Sequence, residues 1–375
     1  MVTEHHQLAL MGGAEYQAHL LAHELSLRPG VGVYYLARSV PSGRAAASLP
    51  YRVRCIGSAA GVRRRATFFD APGLLRALKD IQPSVVYQRG RLSYTGVCAA
   101  YASRAGIPFF FHVASDKDAE RRLLIGGLTF NAPFQLLESA IGRWGVRHAT
   151  RIIVQSGRQA RLLEEQLGRS SSAQVGNFQP LPRELPPKPA GPLRVLWVSN
   201  IKQLKRPELF VELAAAFAGR ADLEFHMVGR PPSDPRLAPL MRSIEARPNL
   251  RFHGELPLAR VNELIATASF LVNTSDYEGF PNTFIQAWAR GAVVLSRVDP
   301  FDGMERLGLG RCAADVAALR DALADLVGRP EARARFVLRS FEYAAQHHSM
   351  KEAARLAGLI VGSAETRTER QSCEA

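Results

Sequence analysis

Thirteen residues split this chain into two halves that follow the same pattern. Positions 180–192 read PLPRELPPKPAGP, with six prolines in the stretch. Proline has no N–H to give a helix interior or a central strand, so this segment is expected to be an extended connection. On both sides of it, short apolar runs of strand length alternate with longer amphipathic runs. That alternation implies parallel sheets covered by helices on both faces. The 375 residues suit two domains of ordinary size. The expected fold class is therefore α/β, with two Rossmann-like domains. The first covers 1–180, a linker 181–192 follows, and the second covers 193–345. A helix over 346–362 is expected to return to the first domain, and the polar tail 363–375 to fray.

In the first half, strands are expected at 31–37, 51–56, 84–88, 109–113 and 151–155. Helices are expected at 15–27, 70–80, 95–104, 131–148 and 158–167, with Asp70 capping the second and Pro72 in its first turn. In the second half, strands fall at 193–198, 224–228, 250–253, 270–273 and 292–295, a helix at 207–218, and the last helices between 330 and 362. Only 7–11 stands ahead of the Gly12-Gly13 turn. The first strand is thus either stunted or begins upstream of Met1.

Charge narrows the partners. The formal net charge is +14, which favours an anionic partner such as a phosphorylated substrate or an anionic membrane surface. Arg63-Arg64-Arg65 and Arg121-Arg122 lack the interleaved aromatics or reading helix of a nucleic-acid binder, so no nucleic acid is expected. Cys55, Cys98, Cys312 and Cys373 form no close pair and read as thiols in a reducing cytosol. The start has no apolar signal core, and the most apolar stretch, 107–114, is too short to span a bilayer. The expected location is cytoplasmic, soluble or peripheral on the inner membrane face.

Four stretches carry chemistry. The richest is 273–290, NTSDYEGFPNTFIQAWAR, where a strand runs through a loop into a helix with Pro281 at its first position. A helix start offers free N–H groups and a positive dipole end to phosphate. Phe280, Asn282 and Thr283 are the candidate donors beside Gly279, while Glu278 suits the hydroxyls of an adjoining sugar. Gln286 can reach over the same loop. A polar loop before a core helix, with Phe284, Ile285 and Trp288 packing, explains this spacing equally well. In 198–214, VSNIKQLKRPELFVELA, Lys205 stands beside a helix start and can share a diphosphate with its dipole. A solvated basic loop is the plainer alternative. In GGAEYQAHLLAHEL, Gly12 and Gly13 allow close backbone approach, and Glu15 reads as a cap. In FFFHVASDKD, a strand delivers His112, Ser115 and Asp116 to a loop. A lone histidine at a strand end is more often structural.

The run 278–296, EGFPNTFIQAWARGAVVLS, resembles the E-x7-E region of the retaining glycosyltransferase family 4, which has the GT-B architecture. The resemblance extends over nearly the whole chain, more specifically in the second half, with weaker matches at 153–156 and 176–178. It implies two Rossmann-like domains facing a central cleft. It assigns the donor sugar to Glu278 and the ribose to Gln286, where the family has a second Glu. Lys205 matches the family's lysine, while Asn200 stands where the family has arginine, with Lys202 and Arg206 near enough to compensate. Gly12 and Gly13 match the N-terminal donor and acceptor loop. His112 matches a histidine facing the reaction centre, with Asp116 as its substitute. The implied catalytic set is Glu278, Lys205 and His112. The donor-binding set is Gly12, Gly13, Asn200, Lys205, Gly279, Phe280, Asn282, Thr283 and Gln286. The implied reaction moves a hexose from a UDP- or GDP-hexose to a sugar or lipid-linked saccharide, with retention, in cell-surface or exopolysaccharide synthesis. No cofactor is expected, and no metal, on the reading that no Asp-x-Asp motif is present to hold a metal-bound diphosphate. A non-catalytic nucleotide-sugar-binding or assembly subunit is the rival from another class.

Overall fold

The structure is a computed structural model and describes residues 1–10, 12–64, 66–121, 132–232 and 235–374. Met11, Arg65, Arg122 and Asn131, on which expectations above fall, lie outside the described residues. The chain forms two compact units, Met1–Gln179 with Met350–Ala375, and Pro180–Ser349.

The first unit holds a parallel sheet of seven strands: β1 (Val2–His5), β2 (Tyr34–Ser39), β3 (Arg52–Cys55), β4 (Val86–Arg89), β5 (Phe109–His112), β6 (Arg151–Val154) and β7 (Ala173–Gln174). Their order is β3-β2-β1-β4-β5-β6-β7. The first strand is therefore VTEH, not 7–11. Val2 and Thr3 are buried in the sheet, whereas the apolar Leu8 and Leu10 are 50% and 37% exposed on a turn. An apolar run marks a strand only if a core is there to receive it.

One face of this sheet is covered by the helices Ala71–Ile81, Ser93–Ala105 and Gly157–Leu167, whose Leu74, Cys98 and Leu163 share a core with Phe109 and Phe111. The other is covered by Gly13–Ser26 and the C-terminal helix Met350–Glu374, through Leu21, Leu25, Leu356 and Ile360. That C-terminal helix runs on through the stretch after 363 that was expected to fray. Asp70 does not cap its helix. Its buried carboxylate instead accepts hydrogen bonds from Arg38 Nε (2.8 Å), Tyr94 Oη (2.6 Å) and the Ser58 N–H (2.7 Å). A fully buried carboxylate needs such partners more than a helix end does. Ala132–Arg147 packs against Ser93–Ala105 backbone to backbone. A Cβ on Gly145 would lie 2.4 Å from the Gly96 nitrogen, so the crossing requires glycine.

The second unit holds six parallel strands: β8 (Leu193–Val198), β9 (Leu223–Val228), β10 (Leu250–Phe252), β11 (Phe270–Asn273), β12 (Val293–Ser296) and β13 (Gly310–Cys312). Their order is β10-β9-β8-β11-β12-β13. The proline-rich stretch belongs to this unit. Its prolines offer no N–H, and Lys188 Nζ makes the stitches, donating to the carbonyls of Ala268 (2.5 Å), Arg290 (2.8 Å) and Ala266 (3.0 Å). Strand order reverses between β8 and β11, and open parallel sheets bind ligands beyond the carboxyl ends of strands at such a reversal.

Candidate functional site

Two turns meet at that reversal. The turn after β8 passes through Lys205 and Arg206, and Arg206 takes a left-handed backbone (φ 46°) before Pro207 opens the helix Pro207–Ala216. The turn after β11 begins at Asn273. Buried Thr274 clamps the two together. It accepts from Trp197 Nε1 (2.9 Å) and donates to the Lys205 carbonyl (2.8 Å). The Asp276 N–H adds a bond to the Leu204 carbonyl (3.0 Å). The strand ends are rigid, so this clamp fixes where Lys205 and Glu278 project.

Lys205 Nζ and Glu278 Oε1 are 2.6 Å apart. The same oxygen accepts from Ser275 Oγ (2.6 Å) and Asn273 Nδ2 (3.0 Å). Oε2 has no hydrogen bond among the described residues, so one carboxylate oxygen is committed and the other is free to accept. The pair is half-open, with the Lys205 side chain 23% exposed and that of Glu278 12%. Beside it, Asp276 is held by Arg297 (2.8 Å) and Arg206 (3.2 Å). A cavity of about 500 Å³ lies against Gln203, Leu204, Arg206, Glu208 and Asp276. The site thus offers a cation, a carboxylate and an adjoining hollow, a combination suited to a polar ligand carrying negative charge.

The other expected residues of this unit are placed differently. Pro281 lies outside the helix Asn282–Trp288, as its ψ of 124° is extended rather than helical. Phe280 is 7% exposed, its ring among Phe301, Trp288 and His348, so its side chain serves the core. Gly279, Asn282 and Thr283 are half-buried around the turn. Gln286 does not reach over the loop. It is 3% exposed and donates from Nε2 to Asn262 Oδ1 (3.2 Å) on the helix Leu258–Thr267. Asn200 is half-buried on the turn after β8, and Lys202 is exposed.

In the first unit, Gly12 precedes the helix Gly13–Ser26 in extended conformation. A Cβ there would meet Glu15 Oε2 at 2.2 Å, so the Glu15 carboxylate lies over the helix start as a capping acid does. His112 ends β5 in register with Arg89 on β4. It is wholly buried, with Nδ1 2.7 Å from Tyr87 Oη and 3.0 Å from an Arg89 guanidinium nitrogen. Arg89 also donates to Asn177 Oδ1 (2.6 Å). Burial first, and then the Arg89 charge, push the His112 pKa well below its usual value, so the ring is neutral.

The chain does contain one Asp-x-Asp triplet, Asp116-Lys117-Asp118. Both of its carboxylates are occupied. Asp116, 2% exposed, pairs with Arg158 (3.1 Å) and accepts from Gln159 (3.2 Å). Asp118 accepts from the N–H groups of Ala114 (2.8 Å), Ser115 (3.0 Å) and Arg91 (3.0 Å). Among the described residues, no group of three or more His, Cys, Asp or Glu could hold a metal ion. Sequence reasoning missed Asn273, Thr274 and Ser275, which set Glu278 and Lys205 in place. The signal was their position, three small polar residues directly after an apolar strand.

Two family models match the chain. Residues 12–176 fit "Glycosyl transferase 4-like domain" and residues 192–329 fit "Glycosyl transferases group 1". No curated protein matches in sequence. Among solved structures, Anabaena Alr3699/HepE in complex with UDP-glucose superposes with a TM-score of 0.71 at 14% identity, over 96% of this chain and 99% of that one. Sucrose-phosphate synthase from Thermosynechococcus elongatus gives 0.74 at 16%, over 97% and 96%. WaaG, a glycosyltransferase involved in lipopolysaccharide biosynthesis, gives 0.73 at 14%, over 96% and 99%. The two parallel sheets are those of the GT-B fold.

Proposed function

Because the chain belongs to the group 1 glycosyl transferases, we propose that it moves a hexose from a UDP- or GDP-hexose to a hydroxyl of a sugar or lipid-linked saccharide, with retention of configuration. The observation that carries this reading is the half-open Lys205–Glu278 pair at the sheet reversal. When the bond from the anomeric carbon to the diphosphate breaks, its electron pair leaves on the diphosphate. Lys205 is the cation placed to neutralise that charge. Glu278 repels phosphate but accepts hydrogen bonds from sugar hydroxyls, and its Oε2 has that capacity to spare. The acceptor oxygen then bonds to the anomeric carbon on the face the diphosphate leaves, and the hydroxyl proton passes to the departing oxygen. Neither a metal nor a protein nucleophile has a part in this scheme.

Lys205 must turn from Glu278 to engage a ligand. A ligand phosphate then takes the place of the carboxylate as counter-charge to the ammonium. HepE was solved with UDP-glucose, which supports a uridine donor, and WaaG's involvement in lipopolysaccharide biosynthesis supports a cell-surface saccharide pathway. The test is a panel of nucleotide sugars with mass-spectrometric detection of products, with anomeric configuration read by NMR. Turnover of at least one donor that is lost in both Lys205→Ala and Glu278→Ala supports the site. Turnover unchanged in either variant refutes it.

The buried His112 and the diversion of Gln286 to Asn262 favour a second reading, a subunit that binds a nucleotide sugar without turning it over. Isothermal titration alongside a hydrolysis and transfer assay separates the two, because binding without any turnover selects the second.

A further inference from the structure

The first unit carries an apolar groove far more exposed than its cores. The helices Ala71–Ile81, Ser93–Ala105 and Ala132–Arg147 enclose a cavity of about 620 Å³ lined by Leu75, Val97, Ala100, Tyr101, Ile141 and Trp144. Gly96, at the close crossing with Gly145, forms part of the groove's lining. Along Ala132–Arg147 the stripe is Leu137, Ala140, Ile141 and Trp144, the i, i+3, i+4, i+7 spacing of one helix face. Ile141 packs at the crossing with the helix Ser93–Ala105, while Leu137 and Trp144 on either side of it stay open. Leu137 is 47% exposed, Trp144 45%, Leu136 39% and Leu75 37%. Large apolar side chains gathered in one patch mark a contact surface.

The charges around the groove have one sign. Lys79 and Arg104 line it, and no carboxylate does. Trp144 is flanked on its own helix by Arg143 and Arg147, and its ring stacks on that of His148 just past the helix end (4.2 Å between centroids). Arg143 and Arg104 donate only to backbone carbonyls. The nearby acids are engaged elsewhere, Asp80 with Arg54 (2.7 Å) and Glu138 with the Thr67 hydroxyl and N–H. None of Lys79, Arg104, Arg143 and Arg147 has a carboxylate partner among the described residues. An apolar furrow with an unpaired cationic rim and an amphipathic indole at its edge has the chemistry of the bilayer interface.

We propose that this face docks on an anionic phospholipid bilayer, with Trp144 and Leu137 entering the acyl boundary and Lys79, Arg104, Arg143 and Arg147 meeting lipid phosphates. Charge complementarity selects this occupant over a second copy of the chain, whose same face would bring cation to cation. The proposal does not depend on the donor site, and its test needs no substrate.

The three tryptophans make that test direct. Trp197 and Trp288 are buried, at 2% and 0% exposure, so a change in emission on docking reports Trp144. The full chain is mixed with vesicles of phosphatidylcholine alone and with vesicles containing phosphatidylglycerol. The expected result is sedimentation with the anionic vesicles only, with emission moving to shorter wavelength. The paired reversal Lys79→Glu with Arg104→Glu should lower the partition coefficient about ten-fold or more, as should Leu137→Asp with Trp144→Ser read by sedimentation. These side chains are exposed, so circular dichroism should show both variants folded. Equal partition into neutral vesicles overturns the proposal, as does binding with unchanged Trp144 emission. Absence of vesicle binding with a dimer in light scattering that Leu137→Asp abolishes also overturns it and assigns the groove to a second copy.

Discussion

Both sheets deliver ionisable side chains that the family resemblance marks as catalytic, Lys205 and Glu278 in the second unit and His112 in the first, and the two units treat them in opposite ways. Glu278 keeps one oxygen uncommitted and its lysine partner partly in solvent. His112 has no exposed surface and is enclosed by Tyr87 and Arg89. A group that is to engage a ligand must be reachable, and the Lys205–Glu278 pair keeps part of its surface open, 23% and 12%. A buried polar cluster does not, because opening it strands a guanidinium and a hydroxyl away from water. The contrast teaches that arrival at the carboxyl end of a strand does not by itself leave a group accessible. What covers that end decides.

The comparison breaks most readily at the Lys205–Glu278 pair. Lys205→Ala and Glu278→Ala should each lower transfer by about 10²–10³-fold, the scale for losing one preorganised electrostatic contact. Urea unfolding should still show a cooperative transition, so that the rate loss is not one of unfolding. Steady-state kinetics beside urea unfolding checks both parts, and a variant that keeps its rate removes Glu278 and Lys205 from the mechanism.

His112→Ala is the mirror experiment. It should destabilise the first unit by about 1–3 kcal/mol, the cost of leaving buried partners unsatisfied. If denaturant unfolding instead shows full stability while transfer collapses, His112 acts on the substrate and the contrast drawn above fails.

Acid should sharpen the difference further. Burial lowers the pKa of His6 to about 4 and also lowers those of His19 and His112. An unfolded histidine titrates near 6.5, so between that value and 4 the unfolded chain binds more protons than the folded one. Stability of the first unit should therefore fall as pH drops through this window. Urea midpoints at pH 7 and pH 5 measure it. His226 and His253 in the second unit are lowered too, so a tryptophan signal from buried Trp197 and Trp288 is the internal comparison.

The smallest effect is expected at Gln286. Its amide bonds Asn262, an amide that can turn over, so Gln286→Glu can keep that bond by accepting from the Asn262 NH₂. Nucleotide affinity should change by less than about ten-fold, on the scale of a single hydrogen bond. A larger gain in calorimetric titration would place the side chain on the ribose after all.

How much of this was legible beforehand follows from what each signal depends on. The two α/β halves and their proline-rich divide could be read directly, because periodicity and the missing proline N–H act locally. That Glu278 and Lys205 stand where a strand hands over to a helix could be read as well, because those signals are also local. The first strand was misplaced because the apolar Leu8 and Leu10 outweighed VTEH, and only the sheet shows which of the two is buried. Asp70 was misread as a cap because Arg38 and Tyr94, its true partners, are distant in sequence. The polar tail was expected to fray because composition carries no record that the preceding turns dock on the helix Gly13–Ser26 through Leu356 and Ile360.

By itself the sequence determined the layer architecture, the point of division and which residue types stand at the strand ends, since these depend on neighbours within a few positions. Tertiary structure alone decided which of those residues remain available. Availability is a matter of burial and of partners brought from far along the chain, as Asn177 is to Arg89 and Asn262 to Gln286. Electrostatic cost in a protein interior depends on that surrounding shell, and no local pattern encodes it.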